Sequence, residues 1–85
     1  MTLMYSEIAK KQLSKLDKPV QKMIKKRMAE VIALEDPRSK GKGLLENRSG
    51  YWRYRAGDYR IICEIHDEKF LIVALKIGHR KEVYK

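Results

Sequence analysis

Three arginines surround one tight turn in the segment YWRYRAGDYRIICEI, residues 51 to 65. Arg53 and Arg55 precede the turn, and Arg60 follows it. If the loop has two residues, either Gly57-Asp58 or Ala56-Gly57, the period-two alternation of strand side chains places all three arginines on one face of a sheet. A three-residue loop reverses the parity of one strand and would separate Arg60 from the other two.

Like charges that face each other across two strands destabilise a sheet, so this arrangement calls for an explanation. Guanidinium groups stay charged and donate paired hydrogen bonds to phosphate oxygens. We therefore interpret the arginines as a phosphate-binding face, with Glu64 on the same face offering partial relief of the repulsion. The alternative is that the three side chains lie along an open sheet face with their charged ends in solvent.

The distribution of charge favours a polyanionic partner, of which nucleic acid is the commonest. The chain carries a net charge of +9 and has a pI near 9.8. Residues 38–60 hold seven cationic side chains against the two carboxylates of Glu46 and Asp58, which is +5 of that total. The cationic residues are Arg38, Lys40, Lys42, Arg48, Arg53, Arg55 and Arg60.

The composition excludes several other classes of protein. An 85-residue chain that is 44% hydrophobic is expected to form one domain, spanning residues 1–85. Its one cysteine, Cys63, rules out an internal disulfide framework and a multi-cysteine metal site, and its apolar surroundings predict a buried side chain. The first residues lack the apolar core of a signal peptide, and no segment approaches a membrane span, so we expect a cytoplasmic location and no membrane partner.

Two helices should precede the arginine-bearing strands. Ser6 is a suitable N-cap for a helix over residues 6–16, which would bury Ile8, Ala9, Leu13 and Leu16. Asp17 is expected to cap a second helix over residues 18–35, with Pro19 in its first turn. Apolar residues at helical spacing, including Met23 and Met28 as core filling, define the buried side of this helix.

The strands predict an α+β fold, in which the helical hairpin packs on one face of a small, mostly antiparallel sheet. Residues 1–5 could form a short edge strand, and residues 37–50 read as a basic connector. Three strands are expected at residues 51–56, 59–66 and 69–77. The last contains FLIVALKI, whose consecutive apolar residues predict a central strand buried on both faces. Opposite the arginines, the core face would carry Trp52, Tyr54, Tyr59, Ile61 and Cys63.

Four segments of the chain together resemble the RelE family of the RelE/ParE toxin superfamily. They are LLENRSGYWRYRAGDYRIICEI, the acidic turn HDE, the strand FLIVALKI and the tail GHRKEVY. This resemblance covers nearly the whole chain and implies a RelE-like α+β fold. It also implies a toxin of a type II toxin–antitoxin system that enters the ribosomal A site and cleaves mRNA there. The implied partners are a cognate antitoxin, the ribosome with its rRNA, and mRNA.

The resemblance assigns roles to individual residues. Arg60 in DYRI and Arg80 in GHR match arginines that hold the phosphate in the transition state, and Tyr84 matches a tyrosine that stacks on a base and can take part in proton transfer. Arg53 stands where well-known members have a lysine, and Tyr51 stands where a second lysine is frequent. Arginine does not lose its proton, so Arg53 stabilises charge but is a poor general base. The cations expected to bind substrate or rRNA are Lys40, Lys42, Arg55 and Lys81.

The implied reaction is attack of an RNA 2′-hydroxyl on the adjacent phosphate, without a metal ion or other cofactor. The general base and acid stay open at this point: Tyr84 is one candidate, and Glu82 and Glu46 are possible bases that are more simply explained as solvated carboxylates. His79 has a suitable intrinsic pKa, but it alternates with Arg80 along an extended segment and is expected to point to the other side. His66 lies in a turn and should be at the surface.

Two further functions remain open. One is a ParE-like toxin that inhibits DNA gyrase and cleaves no nucleic acid; the tail GHRKEVY favours the ribonuclease over it. The other is a non-catalytic RNA-binding or co-repressor module, which the arginine at position 53 favours.

Overall fold

Helices cover one face of a five-stranded sheet in this chain. The computed structural model describes residues 1–43 and 51–83. The elements are β1 (Thr2–Tyr5), α1 (Glu7–Ser14), α2 (Lys18–Ala33), β2 (Lys42–Gly43), β3 (Tyr51–Ala56), β4 (Tyr59–His66), β5 (Leu71–His79) and α3 (Arg80–Val83). Short 3-10 turns at Pro37–Ser39 and Asp67–Lys69 follow α2 and β4.

The strand order is β1-β5-β4-β3-β2. Strand β1 pairs with β5 in parallel, and the other neighbours are antiparallel. The expected α+β fold, with a helical hairpin on a mostly antiparallel sheet, is confirmed. A register shift between Ile62 and Cys63 on β4 leaves Leu75 of β5 without a Cα partner, and such bulges increase the local twist.

Helix α1 is fixed to β5 by two polar side chains. The Ser6 hydroxyl accepts a hydrogen bond from the Ala9 amide at 3.0 Å and donates one to the Leu75 carbonyl at 2.9 Å. The Gln12 side-chain oxygen accepts from the Ile77 amide at 2.6 Å. The predicted N-cap at Ser6 is therefore confirmed, and the same hydroxyl also positions the helix on the sheet.

Several expectations about the helices are corrected. Ile8 is 63% exposed, because the eight-residue α1 faces the sheet with Ala9 and Leu13. Met23 is 37% exposed and lies over the β3–β4 turn instead of entering the core, whereas Met28 is fully buried. Asp17 occupies the N-cap of α2 but makes no side-chain capping hydrogen bond, while the proline falls in the first turn as predicted.

Strand β5 also differs from the prediction. It begins at Leu71 because Asp67–Lys69 forms a 3-10 turn, after which Phe70 adopts a left-handed conformation (φ 49°) and is 71% exposed. The central strand is β4, and β5 lies between β4 and β1. Only one face of β5 is buried, because the described helices pack on one face of the sheet and Leu71, Val73 and Leu75 stay half-buried on the other.

The core lies between the helices and the sheet. Its largest fully buried side chains are Tyr54, Ile24, Met28, Ile61, Ile72, Val31 and Cys63. Burial raises the pKa of the Cys63 thiol to about 12, so this cysteine packs as a small apolar residue, as expected. Trp52 and Tyr59 are half-buried at the edge of the same core. Among the described helices, none combines the length and apolarity of a membrane span.

Candidate active site

The β3–β4 hairpin has a two-residue loop, Gly57-Asp58. In this register Arg55 lies directly opposite Arg60, and Arg53 lies opposite Ile62. Gly57 has φ +59°, a conformation that favours glycine at the first position of a tight hairpin loop. All three arginines therefore share one sheet face, as both two-residue registers predicted.

A second glycine brings the end of the 37–50 connector against β3. Gly41 has φ +76°, and a Cβ atom there would overlap the Arg53 carbonyl oxygen and lie 2.8 Å from Trp52 Nε1. The Trp52 indole donates a hydrogen bond of 2.6 Å to the Lys40 carbonyl. This close approach forms β2 and pairs Lys42 with Arg53.

These elements enclose a cleft of about 320 Å³, which we call the arginine cleft. It is open to solvent, and no carboxylate lines it among the described residues. Its volume is at the lower end of the range for small-ligand sites. The lining residues are Arg27, Gly41, Lys42, Arg53, Tyr54, Arg55 and Arg60.

The Arg60 guanidinium lies over the hairpin turn. Its Nη1 donates to the carbonyl oxygens of Gly57 and Tyr59, each at 3.1 Å. A guanidinium has five N–H donors, and among the described residues Nη2 and Nε make no further hydrogen bond. The turn thus holds Arg60 from one side and leaves donors that a phosphate can use.

Helix α3 begins beside the same turn. The Arg80 amide donates to the Asp58 carbonyl at 2.7 Å, and Arg60 pairs with Gly78 across β4 and β5. The Arg80 and Lys81 side chains are exposed, and neither is among the residues that line the arginine cleft. The structure thus places them next to the hairpin but outside the cleft.

His79 lies on the core side of the sheet, opposite Tyr59. The two rings meet edge to face with centroids 5.6 Å apart, and Nδ1 of His79 accepts from the Lys81 amide at 3.3 Å. The imidazole is half-buried and used in packing, as its alternation with Arg80 suggested. His66 ends β4 half-buried, with Nε2 at 2.7 Å from a Glu64 carboxylate oxygen, instead of lying fully at the surface.

The other residues expected at the site do not line the arginine cleft or lie outside the described residues. Lys40 is exposed in a neighbouring depression that Arg27 and Glu30 also line. Tyr84 lies outside the described residues, as do Glu46 and Arg48. Within residues 1–43 and 51–83, no group of three or more His, Cys, Asp or Glu side chains is placed to hold a metal ion.

Three members of the cleft were missed from the sequence: Arg27, Gly41 and Tyr54, the last of which was expected only on the core face. In the sequence, Arg27 falls on the polar side of the second predicted helix, and Gly41 falls in the predicted connector. Helical periodicity predicts that Arg27 is exposed but not which strand lies near it. Apart from the glycine itself, nothing in the neighbouring sequence predicts the positive φ of Gly41.

Polar contacts fix the start of the connector behind the cleft. The buried Tyr54 hydroxyl donates to the Pro37 carbonyl at 2.7 Å, and burial raises the pKa of this phenol well above its usual value. Arg38 makes paired hydrogen bonds of 2.8 and 2.9 Å to Asp67. This guanidinium lowers the pKa of the Asp67 carboxyl. The connector is thereby joined to β3 and to the β4–β5 turn.

Comparison with known proteins places this geometry in a family. The profile described as "ParE toxin of type II toxin-antitoxin system, parDE" matches residues 3–84. The mRNA interferase toxin RelE of Escherichia coli K12 is 33% identical over 83 residues, covering 94% of this chain and 85% of that protein. Toxin RelG of Mycobacterium tuberculosis is 34% identical over 50 residues, covering 59% of this chain and 58% of RelG.

Solved structures agree with the sequence relatives. The toxin–antitoxin complex RelBE2 from Mycobacterium tuberculosis matches with a TM-score of 0.81 at 26% identity, covering 95% of this chain and 92% of that one. The isolated E. coli RelE toxin matches with a TM-score of 0.71 at 26% identity, covering 98% and 89% of the two chains. From its sequence and its fold, the chain belongs to the RelE/ParE family of toxins of type II toxin–antitoxin systems.

Proposed function

We propose that this protein is a ribosome-dependent endoribonuclease that cleaves mRNA in the ribosomal A site and so inhibits translation. The observation that carries the proposal is the arginine cleft, in which Arg55 faces Arg60 across the hairpin and no carboxylate lines the described wall. Relatives named mRNA interferase support it. A cleft with this charge suits the phosphodiester backbone of RNA better than a neutral or cationic ligand.

The proposed reaction begins when a 2′-hydroxyl attacks the adjacent phosphorus. The P–O5′ bond breaks, and the products are a 2′,3′-cyclic phosphate and a free 5′-hydroxyl. The phosphorane formed on the way carries additional negative charge, and fixed positive groups stabilise this charge more than that of the ground state. We assign that task to Arg53 and Arg60 in the cleft and to Arg80 beside it. In this scheme the arginines supply the positive charge that metal ions supply in other nucleases.

Proton transfer needs a residue other than these arginines. Arg53 is unsuited to it because a guanidinium keeps its proton, and His79 is occupied by Tyr59 and by the Lys81 amide. We propose Tyr84 of the tail for base stacking and proton transfer, as the family resemblance implies. Its ordinary pKa near 10 would have to fall beside cationic groups for it to act as a base.

The dependence on the ribosome follows from how few groups the described site offers for proton transfer. In this proposal the ribosome holds the mRNA with its 2′-hydroxyl aligned on the phosphate. This alignment removes a large part of the activation barrier. Lys40, Lys42, Arg55 and Lys81 are the cations that we assign to the RNA backbone. We further propose a cognate antitoxin as protein partner, since related toxins were solved in toxin–antitoxin complexes, and action in the cytoplasm, where translation occurs.

The test is mRNA cleavage on programmed ribosomes with an occupied P site and an empty A site. The native chain should cut within the A-site codon and leave naked mRNA intact. Arg60→Ala and Arg80→Ala should each lower the single-turnover rate by about 10²- to 10³-fold, the usual effect of removing one charge-stabilising donor. Lys18→Ala, an exposed cation at the start of α2 outside the cleft lining, should cleave at the native rate. Absence of cleavage by the native chain would refute the proposal.

A second candidate function is inhibition of DNA gyrase by a ParE-like toxin. The matching family profile carries the ParE description, and this observation favours the candidate. It predicts that the native chain blocks gyrase supercoiling while programmed mRNA stays intact. Inactivity in both assays, together with retained RNA binding, would indicate a non-catalytic RNA-binding or co-repressor module.

A further inference from the structure

One cation of the arginine cleft comes from the helical layer instead of the hairpin. Arg27 belongs to α2, and it lines the cleft together with Lys42, Arg53, Arg55 and Arg60. The strand residues form one wall, and Arg27 stands at the boundary with the helices. A nucleic-acid strand in the cleft would therefore meet positive charge from two structural layers.

Arg27 forms a weak ion pair with Glu30 on the same helix. Its Nη1 lies 3.2 Å from a carboxylate oxygen of Glu30, one helical turn further on. Both side chains are about half exposed, and exposed pairs of this kind contribute little to stability. A backbone phosphodiester carries the same single negative charge as a carboxylate and also accepts paired hydrogen bonds from a guanidinium, so it can replace the Glu30 carboxylate in this weak, exposed pair.

The Arg27–Glu30 pair lies at the edge of the arginine cleft. Arg27 and Glu30 together line two shallow depressions next to the cleft, one with Met23 and Gly57 and the other with Lys40. Of the pair, only Arg27 also lines the cleft itself. A long, flexible arginine at this boundary reaches either the carboxylate or the cleft.

We infer that Arg27 binds a backbone phosphate of an RNA strand lying in the arginine cleft, and that Glu30 withholds it in an ion pair until RNA is present. This inference rests on the proposed function for the identity of the ligand. It adds a phosphate contact from α2 and a local competitor that weakens RNA binding by the free toxin.

The test measures binding to the purified full chain by fluorescence anisotropy, over a range of salt concentrations. The probe is a short single-stranded RNA with 2′-O-methyl groups on every sugar, which prevents cleavage. Arg27→Gln should weaken binding about three- to tenfold and reduce the slope of log K against log salt by about 0.7, the value for one phosphate contact on a single strand. Arg27→Lys should recover the slope, because lysine keeps the point charge.

Lys25→Gln is the matched control. It removes the same charge from an exposed position on α2, two residues away and therefore on another side of the helix, and it does not line the cleft. Its effect on affinity and slope should be less than half that of Arg27→Gln. Equal effects of the two variants, or no binding by the native chain at low salt, would overturn the inference.

A double-mutant cycle tests the role of Glu30. Glu30→Gln should tighten binding about two- to fivefold in the native background and by much less with Arg27→Gln, because the competition acts through Arg27. Equal gains in both backgrounds would mean only general charge repulsion and would reject the competition. Failure of mRNA cleavage by the native chain, with these binding effects intact, would refute the proposed function and leave the Arg27 contact established.

Discussion

Replacement of Gly41 by alanine should destabilise the protein more than the same change at Gly57. Both glycines have positive φ, +76° and +59°, so each alanine carries a backbone strain of about 1 kcal/mol. The neighbours of the added methyl differ. At Gly57 it meets only the flexible end of Met23, at 3.1 and 3.2 Å. At Gly41 it meets the Arg53 carbonyl and the Trp52 and Tyr54 rings, which are fixed in β3.

The additional effect at Gly41 follows from these contacts. The methyl can be accommodated only if the chain at Gly41 moves away from β3. That movement breaks the hydrogen bond from Trp52 to the Lys40 carbonyl, which contributes about 1 kcal/mol, and loosens the packing at Trp52 by a similar amount. We expect a loss of about 3 kcal/mol for Gly41→Ala and about 1 kcal/mol for Gly57→Ala.

Urea unfolding followed by tryptophan fluorescence measures the difference directly. Trp52 is the one tryptophan of the chain, and it touches both Gly41 and Gly43, so its emission reports on this edge of the cleft. With a slope of about 1 kcal/mol per molar urea for a chain of this size, the two midpoints should differ by about 2 M. Gly41→Ala should also shift the native emission to longer wavelength. Equal midpoints with unchanged emission would refute the close approach of Gly41 to β3.

Three other perturbations test separate parts of the structure. Asp67→Asn should lower stability more at pH 7 than at pH 3: the carboxyl pKa is depressed by Arg38, so its contribution is fully present above the unfolded pKa of about 3.9 and is lost as the pH falls through the folded-state pKa. Tyr54→Phe should cost about 1–3 kcal/mol, because a buried carbonyl loses its donor; urea unfolding measures it. Ile8→Ala should change the unfolding free energy by less than about 0.5 kcal/mol, against about 3 kcal/mol or more for Ile24→Ala.

Each of these has a result that contradicts it. Equal losses for Asp67→Asn at both pH values would mean that its ion pair does not contribute through charge. A neutral Tyr54→Phe would show that its phenol donates to no buried carbonyl. Comparable losses at Ile8 and Ile24 would place the exposed residue in the core.

The local sequence pattern predicts much of the fold correctly. The bounds of β3 and β4 follow from alternation of side chains and from the turn residues between them, and Ser6 marks the start of α1 by its capping chemistry. These features depend on neighbours within a few residues in the chain. The shared face of Arg53, Arg55 and Arg60 belongs with them, since both two-residue loops lead to it.

Some burial assignments failed because periodicity does not say how wide the covered stripe is. An eight-residue α1 rests on the sheet through Ala9 and Leu13, which leaves Ile8 in solvent. The apolar run of β5 suggested two covered faces, yet the described helices cover one. The hydrophobicity of a residue sets how much free energy its burial contributes, but only the packing of helices on the sheet decides which residues are buried.

The sequence alone determined the charge, the arginine-bearing hairpin and the family resemblance, because these reside in residue types and short-range spacing. Tertiary structure decided that the loop is Gly57-Asp58, that Gly41 lies against β3, and that Arg27 joins the cleft. The positions of Gly41 and Arg27 depend on the docking of segments that are distant in sequence. Such contacts form only when the whole core is buried, so no local pattern encodes them.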